Sequence, residues 1–192
     1  MKNIVVAILD SGLDLKCTDH IIGGVKISIS KDHQVQLSND FDDKFGHGTA
    51  IYHILNDSCP NIYFYIVKIF GNEFLEDSTL LFEALKHMLS VDCDFIIISS
   101  GTYVIDDVEE FTKIIENLTQ QNKIIISAFS NGVFPFSFML LCGQNTSRKE
   151  DFMKKYIALL CMAALCLQLA ACDLLSDGQD PKYDQLIQDL ES

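Results

Sequence analysis

Basic residues are scarce in this sequence: 14 Lys and Arg stand against 27 Asp and Glu in 192 residues, a formal net charge of −13. That balance disfavours nucleic acid and anionic membrane surfaces as partners, because phosphate contacts need cations to replace the condensed counterions. Paired cysteines are lacking too. The seven cysteines, at 17, 59, 93, 142, 161, 166 and 172, form no Cys-x-x-Cys pair and no Cys/His metal spacing. No metal and no cofactor is expected. An odd number of thiols, several inside apolar runs, fits reduced buried cysteines in a reducing compartment. No apolar helix of ordinary membrane-spanning length stands out: the stretch Tyr156–Ala171 has 16 residues, against the roughly 20 that a span needs.

What is present argues for a globular chain. Hydrophobic residues make up 48% and aromatics 10%, enough to bury a core rather than remain disordered. Ile4–Leu9 is a fully apolar run of strand length. Val25–Ile29 and Val35–Leu37 flank Lys31-Asp32-His33 and predict a hairpin. Thr49–Leu55 reads as a helix, and Ile62–Phe70 as a β-rich run after the Pro60-Asn61 break. Ser78 caps a helix with Leu81, Leu85 and Met88 on one face. Phe95–Ser99 is the next strand, Val108, Phe111, Ile115 and Leu118 share helical spacing, and Ile124–Ala128 is strand again. Strands alternating with helices predict an α/β fold, a parallel sheet flanked by helices. Sites in such sheets gather at the carboxyl ends of the strands.

Three clusters fall at those ends, opened by Asp10, Ser99 and Asn131, and the first has a histidine counterpart near a helix start. Ile4–Leu9 runs into Asp10-Ser11-Gly12, and Phe45-Gly46 leads into His47-Gly48-Thr49. An acid that orients an imidazole, which in turn deprotonates a nucleophile, is the Asp-His part of a hydrolase triad. Asp-Ser-Gly is also ordinary turn chemistry, and the order and placement of the later segments favour the catalytic alternative. The other two clusters are Ser99-Ser100-Gly101 and Asn131-Gly132. An Asn-Gly turn is the plain reading of the latter. The remaining histidines, His20, His33, His53 and His87, have no evident partners and read as surface or helix-face residues. Asp14 reads as the cap of a turn. Asp40, Asp42 and Asp43 read as a solvated acidic loop, with a preference for basic substrate residues as the alternative.

Taken in this order, residues 1–133 resemble the subtilisin-like serine proteases (subtilases, peptidase S8), whose triad runs Asp, His, Ser along the chain. The resemblance adds Ile66-Val67-Lys68-Ile69 as the strand after the histidine helix. It implies Asp10 and His47 as catalytic residues. It implies Asn131 as the oxyanion-hole donor, a role whose loss typically costs about 10²–10³ in turnover, a value taken from subtilisin itself. Ser99, Ser100 and Gly101 would bind substrate backbone by strand addition. Departures are visible: Ala50-Ile51-Tyr52 stands where the family commonly has a second histidine and small residues, and Phe129-Ser130-Asn131 replaces Ala-Gly-Asn. No Gly-Thr-Ser nucleophile string follows. Asn145-Thr146-Ser147 lacks the glycine and comes too soon after Asn131 for the remaining strands of such a fold.

Beyond Gly132 the alternation stops. Residues 134–152 read as an irregular junction. Met153-Lys154-Lys155 precedes an uncharged run ending in Leu169-Ala170-Ala171-Cys172. A charged start, an apolar middle and small residues before a cut site make a secretory signal. With cysteine at the cut it resembles a bacterial lipoprotein signal, with Cys172 as the lipidation candidate. The alternative is a buried C-terminal helix of the same domain. Residues 173–192 form an acidic polar tail.

These readings set the expectations. Residues 1–133 are a partial subtilisin-like domain followed by an apolar helix at 153–172. The family activity implied is serine endopeptidase, with a peptide or protein as the partner. This chain is expected to be truncated and inactive without its serine. A non-catalytic peptide-binding protein and a membrane-tethered lipoprotein-like fragment are the alternatives. With no signal peptide and no room for a propeptide before Asp10, the N-terminal domain is expected to be cytoplasmic. Membrane contact is expected, if anywhere, through 153–172.

Overall fold

The structure is a computed structural model that describes residues 3–17, 19–59, 61–70, 78–98, 108–129 and 137–142. Its framework is an α/β sandwich: a seven-stranded sheet with helices on both faces. In chain order the elements are β1 (Ile4–Asp10), β2 (Ile21–Ile29), β3 (Val35–Ser38), α1 (His47–Ser58), β4 (Ile62–Lys68), α2 (Ser78–Met88), β5 (Phe95–Ile98), α3 (Val108–Gln120), β6 (Ile124–Phe129) and β7 (Ser137–Cys142). The strands lie in the order β3-β2-β4-β1-β5-β6-β7.

β1 is an uninterrupted apolar run because both of its faces are covered. Val6 and Ile8 face one layer, with Phe64 and Ile66 of β4, Phe95 and Ile97 of β5, and Ile51, Tyr52 and Leu55 of α1. Ala7 and Leu9 face the other, with Val67, Ile96 and Ile98, under Leu81, Ala84, Leu85 and Met88 of α2 and Ile114 and Leu118 of α3. Period-2 alternation in the strands and 3.6-residue periodicity in the helices thus meet in two interleaved cores. Buried Lys123 closes the end of α2, its ammonium donating to the carbonyl of Met88.

Strands β2, β4, β1, β5 and β6 are parallel to their neighbours in this series, as the alternation predicts. The two edges differ. β3 runs antiparallel to β2, and β7 antiparallel to β6. The physical reason is connection length: short links close antiparallel pairs, whereas a parallel partner needs a crossover of a dozen or more residues. Residues 134–152, expected as an irregular junction, therefore contain a strand. α1 also begins two residues before the expected Thr49, so that His47 is its first residue. The apolar segment 153–172 and the acidic tail lie outside the described residues. Among the described residues no helix is long and apolar enough to cross a membrane.

Candidate active site

The carboxyl end of β1 carries Asp10 into the middle of the sheet edge. Asp10 is in register with Lys68 at the end of β4, and its carbonyl accepts from Ile69 N at 2.9 Å. The side chain is almost fully buried, at 1% exposure. A buried carboxylate needs hydrogen-bond donors, and Ser11 and His47 are among them. Ser11 N donates to Oδ1 at 2.6 Å. The Nδ1 of His47 lies 2.9 Å from Oδ1 and 2.8 Å from Oδ2.

That geometry fixes what the ring can do. A carboxylate only accepts, so the imidazole nitrogen facing it is the one that carries the proton. Nε2 is then the ring's basic site, held by a carboxylate that would also stabilise the cation formed on protonation. The His47 side chain keeps 15% of its surface exposed, so the buried acid lies behind a ring that still reaches solvent.

Two glycines permit this approach. Gly12 has φ 115, a left-handed conformation, and a side chain there would strike the Phe41 carbonyl oxygen at 2.3 Å. At Gly48 a methyl group would lie 2.3 Å from the Gly12 carbonyl oxygen and 3.2 Å from the Asp10 Cβ. The loop after β1 and the start of α1 therefore touch backbone to backbone.

The solvated reading of the acidic loop holds for Asp40, which is exposed, but not for Asp42 and Asp43, which are half-buried and bound. Leu13 N donates to Phe41 O at 2.9 Å and Asp43 N to Leu13 O at 3.0 Å, tying the loop to the chain that leaves Asp10. Asp43 accepts from Phe45 N, Gly46 N, Thr49 N and the Thr49 hydroxyl. Burial alone would raise its pKa, but the hydrogen bonds from Thr49, Gly46 and Phe45 outweigh it and hold the carboxyl below its ordinary value. Lys68, only 7% exposed, anchors the same loop by donating to the Asp42 carbonyl. Asp42 itself pairs with Lys44, whose hydrogen bond lowers its pKa. Asp14 caps its turn as expected, accepting from Lys16 N at 2.9 Å.

Three histidines read as partnerless have partners. His20 Nδ1 lies 3.2 Å from Asn56 Oδ1, and His53 Nε2 lies 3.5 Å from the Cys17 sulfur. Burial, then Asp14 and Asp19, push the Cys17 thiol upward, which keeps it protonated and a poor nucleophile. His87 Nε2 lies 3.0 Å from the Tyr65 hydroxyl, in hydrogen-bond contact, and burial lowers its pKa. Tyr52, in the Ala50-Ile51-Tyr52 segment that departs from the family pattern, is buried, edge-on to Phe64, and donates to the Asp19 carbonyl at 3.0 Å. Among the described residues no group of three metal-ligating side chains occurs. Ser99, Ser100, Gly101, Asn131 and Cys172 lie outside the described residues.

Sequence reasoning singled out Asp10 and His47, and the structure brings these two together. It missed Asp43, Ser11 and Lys68 as parts of the site's frame. An acid three residues before the glycine that precedes a helix, with a threonine in the helix's first turn, was the available signal for Asp43.

The fold is similar to that of a lanthipeptide protease, with 22% identity and a TM-score of 0.51 over 65% of this chain and 38% of that one. It is also similar to the nisin leader peptidase NisP from Lactococcus lactis, with 23% identity and a TM-score of 0.54 over 81% of this chain and 49% of that one. The chain thus spans less than half the length of these two proteases. No protein-family model and no curated protein sequence matches it.

Proposed function

We propose that residues 1–133 carry the acid and base of a subtilisin-like serine endopeptidase, with a peptide as substrate. The observation that carries this reading is the Asp10–His47 pair, with both carboxylate oxygens within 3 Å of Nδ1 at the carboxyl edge of a parallel sheet. In peptide hydrolysis His47 would take the proton of a serine hydroxyl through Nε2 and return it to the leaving amine, while Asp10 holds the ring and its positive charge. Asn131 is the proposed oxyanion donor, and Ser99, Ser100 and Gly101 the proposed edge for substrate backbone. The likeness in fold to two proteases supports the peptidase class.

The 192 residues contain no Gly-Thr-Ser string. Losing the serine costs about 10⁶ in turnover in subtilisin, so this polypeptide by itself is expected to be silent. A fluorophosphonate probe tests this: no labelling is expected. Labelling that vanishes in Ser147→Ala would make Ser147 the nucleophile and overturn the proposed inactivity. The same missing serine favours a second reading, non-catalytic peptide binding. Calorimetric titration with extended peptides, compared between the natural chain and Gly101→Pro, distinguishes it from a chain that binds nothing.

A further inference from the structure

The first amides of a helix have no partners within it. Gly46, which precedes α1, has no side chain to supply one. Two groups from outside the helix do so. Ser11 Oγ accepts from Gly48 N, and Asp43 Oδ2 accepts from Thr49 N, each at 3.0 Å. Asp43 reaches further. Its Oδ1 accepts from Phe45 N and Gly46 N at 2.9 Å, and its Oδ2 takes the Thr49 hydroxyl proton at 2.7 Å. The Thr49 oxygen in turn accepts from Asp14 N at 2.9 Å. One carboxylate therefore grips the chain on both sides of His47 and connects, through Thr49, to the loop that Asp10 opens.

We propose that Asp43 is a positioning residue for His47, fixing the first turn of α1 against the Asp10 loop so that the imidazole keeps Nδ1 on the acid and Nε2 outward. The inference rests on the Asp10–His47 reading above. Its physical basis is that His47 is the first residue of its helix, the place where helices fray. A ring on a frayed turn leaves the 2.8–2.9 Å contact with Asp10 and is free to exchange tautomers in water. The negative charge of Asp43 also lies at the positive end of the α1 dipole, which adds to the hold of its four hydrogen bonds.

The test uses the full chain with histidine ring nitrogens isotopically labelled, the His47 signals being assigned by their loss in His47→Gln. The natural chain, read at a pH high enough that its histidine signals no longer change and every imidazole is neutral, is expected to show Nδ1 protonated and Nε2 bare. Asp43→Ala and Thr49→Val are expected to lose that pattern, while Thr49→Ser, which keeps the hydroxyl, retains it. Leu85→Val, on the opposite face of the sheet, supplies a destabilised control whose His47 pattern stays intact. If Asp43→Ala fails to fold, Thr49→Val decides. An unchanged Nδ1-protonated pattern in a folded Asp43→Ala or Thr49→Val chain overturns the positioning role and leaves the dyad standing. A natural chain without the pattern overturns the dyad itself.

Discussion

The Ser11 hydroxyl accepts the Gly48 amide proton at 3.0 Å, so the residue after the acid holds the residue after the imidazole. Acid and base are bound at two levels, side chain to side chain and neighbour to neighbour. Ser11 is fully buried, which makes this bond costly to lose. Ser11→Ala removes one of the caps of α1 and is expected to destabilise the chain by about 0.5–2 kcal/mol, read from the urea midpoint at constant slope.

Gly48→Ala is expected to be worse. Its methyl group would meet the Gly12 carbonyl oxygen at 2.3 Å, backbone that has no rotamer to yield. Overpacking of this kind costs about 1–3 kcal/mol, and here it also pushes α1 away from β1. The expected result is a lower unfolding midpoint together with loss of the Nδ1-protonated His47 signal.

Acid should loosen the loop that Asp43 organises. Its carboxyl lies below the ordinary value in the fold, so the unfolded chain binds a proton first as pH falls. Its contribution to stability is complete above the unfolded carboxylate pKa of about 3.9 and is lost as pH drops through the folded value beneath it. Urea melts from neutral pH down to strong acid should show this loss in the natural chain and a smaller one in Asp43→Asn.

His87 predicts a separate step at milder pH. Burial lowers its pKa, and the Tyr65 hydroxyl hydrogen-bonds its neutral ring. The stability it protects is present above the unfolded histidine pKa of about 6.5 and is lost as pH falls through the depressed folded value. Comparing melts at pH on either side of that window, His87→Gln should flatten the natural chain's decline.

The parallel centre of the fold was legible in the sequence because it is written locally. Ile4–Leu9 and Phe95–Ile98 are apolar on every residue, as strands covered on both faces must be, and Leu81, Leu85 and Met88 repeat with helical spacing. Asp10 and His47 were legible because a strand end and a glycine-flanked helix start mark them. Asp43 was not. Its grip on Phe45, Gly46 and Thr49 is local, but what ties that grip to the Asp10 loop is Phe41–Asp43 folding back onto Leu13, a contact across some thirty residues that no local pattern encodes. Read locally, three acids within four positions look like a wet loop. The partners of His20, His53 and His87 were hidden for the same reason: Asn56, Cys17 and Tyr65 come from other elements. β7 escaped because it pairs in the direction that the alternating pattern does not announce.

The central position of β1 bears on how the chain is made. This strand leaves the ribosome before both of its hydrogen-bonding neighbours, Ile62–Lys68 and Phe95–Ile98. Until residue 98 has emerged, one edge of an entirely apolar segment stays unpaired, which is the situation in which nascent chains recruit chaperones or aggregate. Distant pairings also slow folding, since loop closure precedes any gain from contact. Asp10 is made before α1, β4 and β5, the elements that hold it and its strand in place.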